Sequence, residues 1–130
     1  MPKQGDNYKV KLIETYIKWG EFRNTDSREK IIDEVYLPIP ATKAREYGIY
    51  NSNKVGANTD YDVITSDGFA INGKLKAQGS SEAGNIYAKN LSGSGNLKLL
   101  GPWMAHINAK VGDEIKIEWT NETTIKLTKL

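Results

Sequence analysis

Two polar stretches hold the side chains of this 130-residue chain that are best equipped for directional hydrogen bonding. The first runs from Gly20 to Lys30 and brings Arg23, Asn24, Thr25 and Arg28 together with no core position among them. The second follows a run of alternating residues and contains Lys74, Lys76, Gln78, Ser80, Ser81, Asn85, Lys89 and Asn90. A guanidinium matches guanine O6 and N7, and a carboxamide matches adenine N6 and N7, so these residue types read base edges in a major groove. Lysine ammonium, hydroxyl and backbone N–H groups anchor phosphates instead. Arg23, Asn24, Gln78, Asn85 and Asn90 are therefore the candidates for base contacts, and Lys30, Lys74, Lys76 and Lys89 those for phosphate. Trp19, Phe22 and Tyr87 are placed to support the two stretches or to stack on sugars. The competing reading is that long Ser/Gly/Asn loops are connectors.

Catalysis finds little to work with. The one histidine, His106, falls between core positions of a helical stretch, and cysteine is absent. Transition-metal sites would have to be built from carboxylates, yet no acidic cluster has calcium-loop spacing. Asp60 and Asp62 alternate on one side of a strand and read as surface charges. Gly93-Ser94-Gly95 lacks the lysine and the spacing of a phosphate-cradling loop. The sequence therefore predicts a non-enzyme with no metal and no cofactor. Asn90-Leu91-Ser92 and Asn121-Glu122-Thr123 fit the glycosylation acceptor pattern, but without a signal peptide the matches read as chance.

Composition sets the wider frame. With 38% hydrophobic and 26% charged residues the chain is globular, and its length suits a single domain over residues 1–130. The apolar stretch from Val10 to Ile17 is broken by Lys11 and Glu14, and no run approaches membrane-spanning length, so the expectation is a cytoplasmic protein with no membrane partner. The net charge of +2 is unevenly spread. Gly68 to Lys110 has five lysines against Glu82, a net of +4, which leaves −2 for the remainder. One positive face is the pattern of a nucleic-acid binder, and a lysine-rich solvated surface is the plainer alternative.

The elements that must position these residues are mostly strands. Turn signals recur about every ten residues, which predicts a small barrel or sandwich. Apolar parity shifts between Leu12 and Ile13, consistent with a β-bulge in a strand from Tyr8 to Trp19; a helix there is the competitor. Val35, Leu37 and Ile39 alternate as a strand whose pairing Pro38 should end. Pro40 opens a helix over Ala41 to Tyr47, and Gly48 stops it. Tyr61 to Thr65, the Ser66-Asp67-Gly68 turn, and the alternation Phe69, Ile71, Gly73, Leu75, Ala77 predict a hairpin. From Gly79 to Asn96, eleven of eighteen residues are Gly, Ser or Asn, so a long loop is expected around a short apolar patch, Ile86, Tyr87 and Leu91, with a strand at that patch as the alternative. Gly101-Pro102 starts a second helix with Trp103, Met104 and Ile107 on one side. Ile115, Ile117 and Trp119, a turn at Thr120 to Thr123, then Ile125 and Leu127 form a closing hairpin.

This order of elements resembles the DNA-binding pseudobarrel superfamily, and in particular the recognition domains of certain bacterial type II restriction endonucleases, which share their fold with plant B3-type transcription factor domains. The resemblance lies in Leu37 to Tyr50 followed by Asn51-Ser52-Asn53, in Ser66-Asp67-Gly68, in Tyr87-Ala88-Lys89-Asn90-Leu91, in Leu99-Leu100-Gly101-Pro102-Trp103, and in Val111 to Leu130. It implies a mainly β fold, a seven-stranded open barrel with two short helices. It also implies two arms, Trp19 to Lys30 and a segment within Lys76 to Asn90, that grip the major groove of double-stranded DNA. The implied protein is a monomeric, sequence-specific domain or subunit of a restriction-type system. In the restriction enzymes this domain is fused to a nuclease domain, and none is encoded here, so a stand-alone specificity protein, a subunit and a fragment of a longer chain are the three readings. A protein- or glycan-binding β-module, such as a phage accessory piece, is the alternative.

Overall fold

The computed structural model describes residues 2–13, 17–20, 31–79 and 85–130. It is mainly β, with eight strands and two short helices. The strands are β1 (Asn7–Lys11), β2 (Ile17–Gly20), β3 (Ile31–Pro38), β4 (Asp60–Thr65), β5 (Lys74–Gln78), β6 (Asn90–Gly93), β7 (Glu114–Asn121) and β8 (Thr124–Lys129). Helix α1 (Ala41–Tyr47) follows β3 and α2 (Gly101–His106) precedes β7. Seven strands form one mixed sheet, and β2 extends the order to β1-β7-β8-β4-β5-β6-β3-β2 through its pairing with β3. The β4–β8 pair is parallel, with Asp62 opposite Thr124 and Thr65 opposite Leu127.

The connection between the two edges of this sheet governs its shape. β1 and β2 are the outermost strands, yet only residues 12–16 separate them in the chain. Strands spaced about 4.8 Å apart would put the edges of a flat eight-stranded sheet about 34 Å from each other. Six Cα steps from Lys11 to Ile17 reach about 22 Å at most. The sheet must therefore curl. The pairing does not close, because among the described residues none joins β1 to β2.

The parity shift at Leu12–Ile13 has a different origin from a bulge within one strand. β1 ends at Lys11, Leu12 is buried and bonds Asp113 O and the Gly112 N–H, and Ile13 is exposed. The chain then changes from pairing with β7 to pairing with β3. Register shifts occur instead at Lys18/Trp19 and at Trp119/Asn121.

Strict alternation fills the interior. Tyr8 and Val10, Val35 and Leu37, Leu75 and Ala77, Ile115, Ile117 and Trp119, and Ile125 and Leu127 all point into one hydrophobic core. Trp119 sits at its centre, with the Tyr61 ring edge-on at 5.6 Å and the Tyr8 ring tilted at 6.3 Å. Aromatic contacts of this geometry add to the area they bury. Burial pushes the Tyr61 phenol up to about 12 and raises that of Tyr8 further.

Each helix is tied to the sheet. α1 runs over the predicted residues and stops at Gly48 in the left-handed conformation, φ 68°. Pro40 precedes it as the N-cap rather than its first residue. The Tyr47 hydroxyl donates to Asn7 O at 2.8 Å, which ties α1 to β1. α2 buries Trp103 and Met104 against β3, and the Trp103 indole N–H donates to Asp67 Oδ2 at 3.1 Å. The Asp67 carboxylate also accepts from the Phe69 N–H and the Thr65 hydroxyl, which holds it below the usual carboxylate range. This anchored turn explains why β5 begins at Lys74 and not at Phe69. Phe69 is folded instead onto the His106 ring, 4.7 Å away.

Candidate nucleic-acid interface

The two polar stretches leave the sheet at opposite ends. Gly20 pairs with Ile31 at the start of β3, so residues 21–30 connect β2 to β3 there. Gln78 of β5 pairs with Asn90 of β6, so residues 79–89 connect those two strands, beside Pro38 at the other end of β3. Seven steps along a strand put the two roots about 23 Å apart. Arg23, Asn24, Thr25, Arg28 and Lys30 in the first stretch, and Ser80 and Ser81 in the second, lie outside the described residues. Trp19 lies in β2 opposite Ile32, at the register shift.

On the outer face of β5 the predicted phosphate contacts have company. The register sets Lys74 opposite Asp62 and Lys76 opposite Asp60. Lys74 Nζ is 3.8 Å from Asp62 Oδ1, with both side chains more than half exposed. Such a pair contributes little to stability, but it cancels the local charge. Gln78 donates from Nε2 to the buried Ser92 hydroxyl, so one edge of its carboxamide is occupied. These three side chains share a face, as expected, but not as an unopposed positive stripe.

The root of the second stretch is built differently. Asn51, 4% exposed, donates from Nδ2 to Asn85 O at 3.0 Å and to Tyr87 O at 3.2 Å. Its Oδ1 accepts the Asn53 N–H at 2.8 Å, and Asn53 Nδ2 donates to Asn85 O at 2.8 Å. Backbone bonds from Asn51 N to Ile86 O and from Ala88 N to Ile49 O complete the clamp. Asn85 Oδ1 accepts the Tyr87 N–H, so this side chain shapes the turn that carries it. The Tyr87 ring stacks on Tyr50 at 5.7 Å rather than standing free. Lys89 is held by its backbone between Ile39 and Gln78, and its side chain is exposed. Asn90 lies against Gly79, whose φ of +97° suits only glycine; a Cβ there would come within 2.8 Å of Asn90 Nδ2.

Sequence reading missed the residues that do the clamping. Asn51 is one of three buried polar side chains in the described structure, and its neighbours Tyr50 and Asn53 take part with it. The signal available was an Asn-rich loop after a helix stop, which by itself reads as a connector. Arg45 on α1 was also missed. It lines a pocket of about 310 Å³ together with Asn85, Tyr87 and Lys89, over a floor of Ile39, Ala44 and Ala88.

Among the described residues no group of three metal-ligating side chains occurs, and no helix is long and apolar enough to cross a membrane. The fold and the site together define a mainly β protein with two polar loop connections at opposite ends of its sheet and an amide-clamped, cation-bearing surface beside the second. No protein-family model, curated protein or solved structure matches the chain.

Proposed function

We propose that the chain is a sequence-specific double-stranded DNA-binding domain without catalytic activity of its own, in which the curled sheet is an open pseudobarrel and residues 19–30 and 76–90 are its two arms. The observation that carries this reading is that both polar stretches are loop connections at ends of one sheet, residues 21–30 between β2 and β3 and residues 79–89 between β5 and β6. Both hold the residue types that read base edges and anchor phosphates in a major groove. Arg23 and Asn24 on the first arm and Asn90 at the root of the second are the base-reading candidates. Lys30 and Lys89 are the leading phosphate contacts, because Lys74 and Lys76 face carboxylates. The setting is cytoplasmic and bacterial, the domain acts as a monomer, and its partner is a nuclease domain or subunit of a restriction-type system.

The test is selection from a pool of random-core duplexes by fluorescence anisotropy and sequencing of the retained fraction, at two salt concentrations. Enrichment of one short motif, with affinity falling steeply as salt rises, is the expected result. If about six phosphates are neutralised, log K against log salt falls with a slope of about −5. No retention at low salt overturns the proposal and moves the weight to a protein- or glycan-binding module.

A further inference from the structure

The cations nearest the clamp are not confined to the second arm. Arg45 lines the pocket that holds Lys89 and Tyr87, and it also lines a second pocket, of about 400 Å³, with Lys3, Tyr47 and Tyr50. Tyr50 lines the second pocket and Tyr87 the first, their rings stack, and Lys54 Nζ stands 5.7 Å from the centre of the Tyr50 ring. Lys3, Arg45, Lys54 and Lys89 therefore border one continuous surface that leads from the second arm across α1 toward the start of β1.

Two carboxylates, Asp6 and Glu46, also line the second pocket. Asp6 accepts the Lys3 backbone N–H at 3.0 Å, and Glu46 pairs with Lys43 at 3.2 Å. Among the described residues no carboxylate pairs with Arg45, Lys54 or Lys89. The cations Lys3, Arg45, Lys54 and Lys89 outnumber the carboxylates Asp6 and Glu46, and tyrosine rings lie among them. That chemistry suits a run of phosphodiesters, since Arg and Lys hold the phosphates and rings pack against sugars.

We propose that this surface is a phosphate track that carries the flank of the bound duplex outside the recognition motif. The inference rests on the DNA-binding reading and deepens it. The arms select the sequence, whereas the track adds affinity that does not depend on sequence, so discrimination and grip reside on different elements.

The experiment measures affinity for duplexes carrying the selected motif with flanks lengthened on either side, across a salt series, for the native chain and for R45A, K54A and the K3A/R45A pair. Thermal melts establish that each variant is folded. Native affinity should rise with flank length on one side and then level off. R45A and K54A should each weaken binding by about threefold to tenfold, equally for motif and random duplexes, and reduce the salt slope by about 1, with K3A/R45A losing about 2. Arg45→Lys should restore the slope, because only a point charge is needed. If the native chain selects a motif while flank length and these variants change nothing, the track is wrong and the arms stand. If the native chain retains no duplex, both readings fall together.

Discussion

The lysines of β5 and the cations around Tyr50 and Tyr87 belong to one mainly β protein, yet their surroundings differ in a way that composition does not show. Lys74 and Lys76 face Asp62 and Asp60 across the β4–β5 pair. Arg45 and Lys89 line concave surface beside a clamp of uncharged amides, and Lys54 stands over the neighbouring Tyr50 ring. Counting charge along the chain assigns Lys74, Lys76 and Lys89 to one basic segment. The register divides them, because a carboxylate on the adjacent strand lies within reach of a lysine regardless of its distance in sequence. Opposed lysines offer a polymer of phosphates little net field, whereas unopposed ones release counterions when they bind it.

Several measurements would break or sharpen this contrast. The scaffold common to both surfaces comes first, since its loss abolishes both. Tyr61 and Tyr8 are neutral in the fold and have phenols raised by burial, Tyr61 to about 12. Their contribution is fully present below the unfolded value of about 10. It fades as pH rises from there through the folded value, because the unfolded chain releases its protons more readily. Circular dichroism against pH should show cooperative alkaline unfolding in that window, and Tyr61→Phe should shift the midpoint upward. An unshifted midpoint would assign the alkaline limb to other groups.

Next is the clamp. Asn51→Ala leaves the Asn85 and Tyr87 carbonyls without their donor in a buried place, a loss of about 1–3 kcal/mol in urea unfolding. Duplex affinity should fall with it, while the same substitution at exposed Asn72 should change neither. If Asn51→Ala left stability intact, the second root would need another anchor.

Charge swaps test the contrast itself. Asp60→Asn with Asp62→Asn should turn the β5 face into an unopposed one, raising low-salt duplex affinity by up to about fivefold, the equivalent of an exposed pair's 0–1 kcal/mol. An unchanged affinity would show that this face never meets the nucleic acid. The smallest differences are expected for single lysines: Lys89→Ala should reduce the salt slope by about 1, and Lys74→Ala by less than half of that. Equal effects would erase the distinction between the two surfaces.

Local chemistry was readable in the chain and tertiary pairing was not. Pro40 and Gly48 delimit α1 because a ring-locked φ favours a helix start and a left-handed residue ends it, and both effects act within a few residues. The alternation of Ile115, Ile117 and Trp119, then Ile125 and Leu127, defines β7 and β8 because only one face of each strand is buried. The parity break after Leu12 was equally visible, but it signalled a change of partner strand, from β7 to β3, and not a bulge. A bulge and a partner change both displace one residue from the alternating pattern, so the pattern cannot separate them.

The same limit holds at the candidate interface. Residue types alone mark Arg23, Asn24, Gln78, Asn85 and Asn90 as hydrogen-bonding side chains in loop-rich sequence. Only the assembled fold turns Gln78 toward Ser92, Lys74 toward Asp62 and Asn51 toward the Asn85 and Tyr87 carbonyls. Only the fold, too, puts the two polar stretches at opposite ends of the sheet and brings Arg45 beside Lys89. Backbone propensity and hydrophobic alternation are set by neighbours in sequence, so the strands, the helices and the inward face were determined by the chain as written. Which lysine meets a carboxylate and which amide is spent on a neighbouring strand or loop depend on contacts between residues 12 to 36 positions apart, and those exist only once the sheet has assembled.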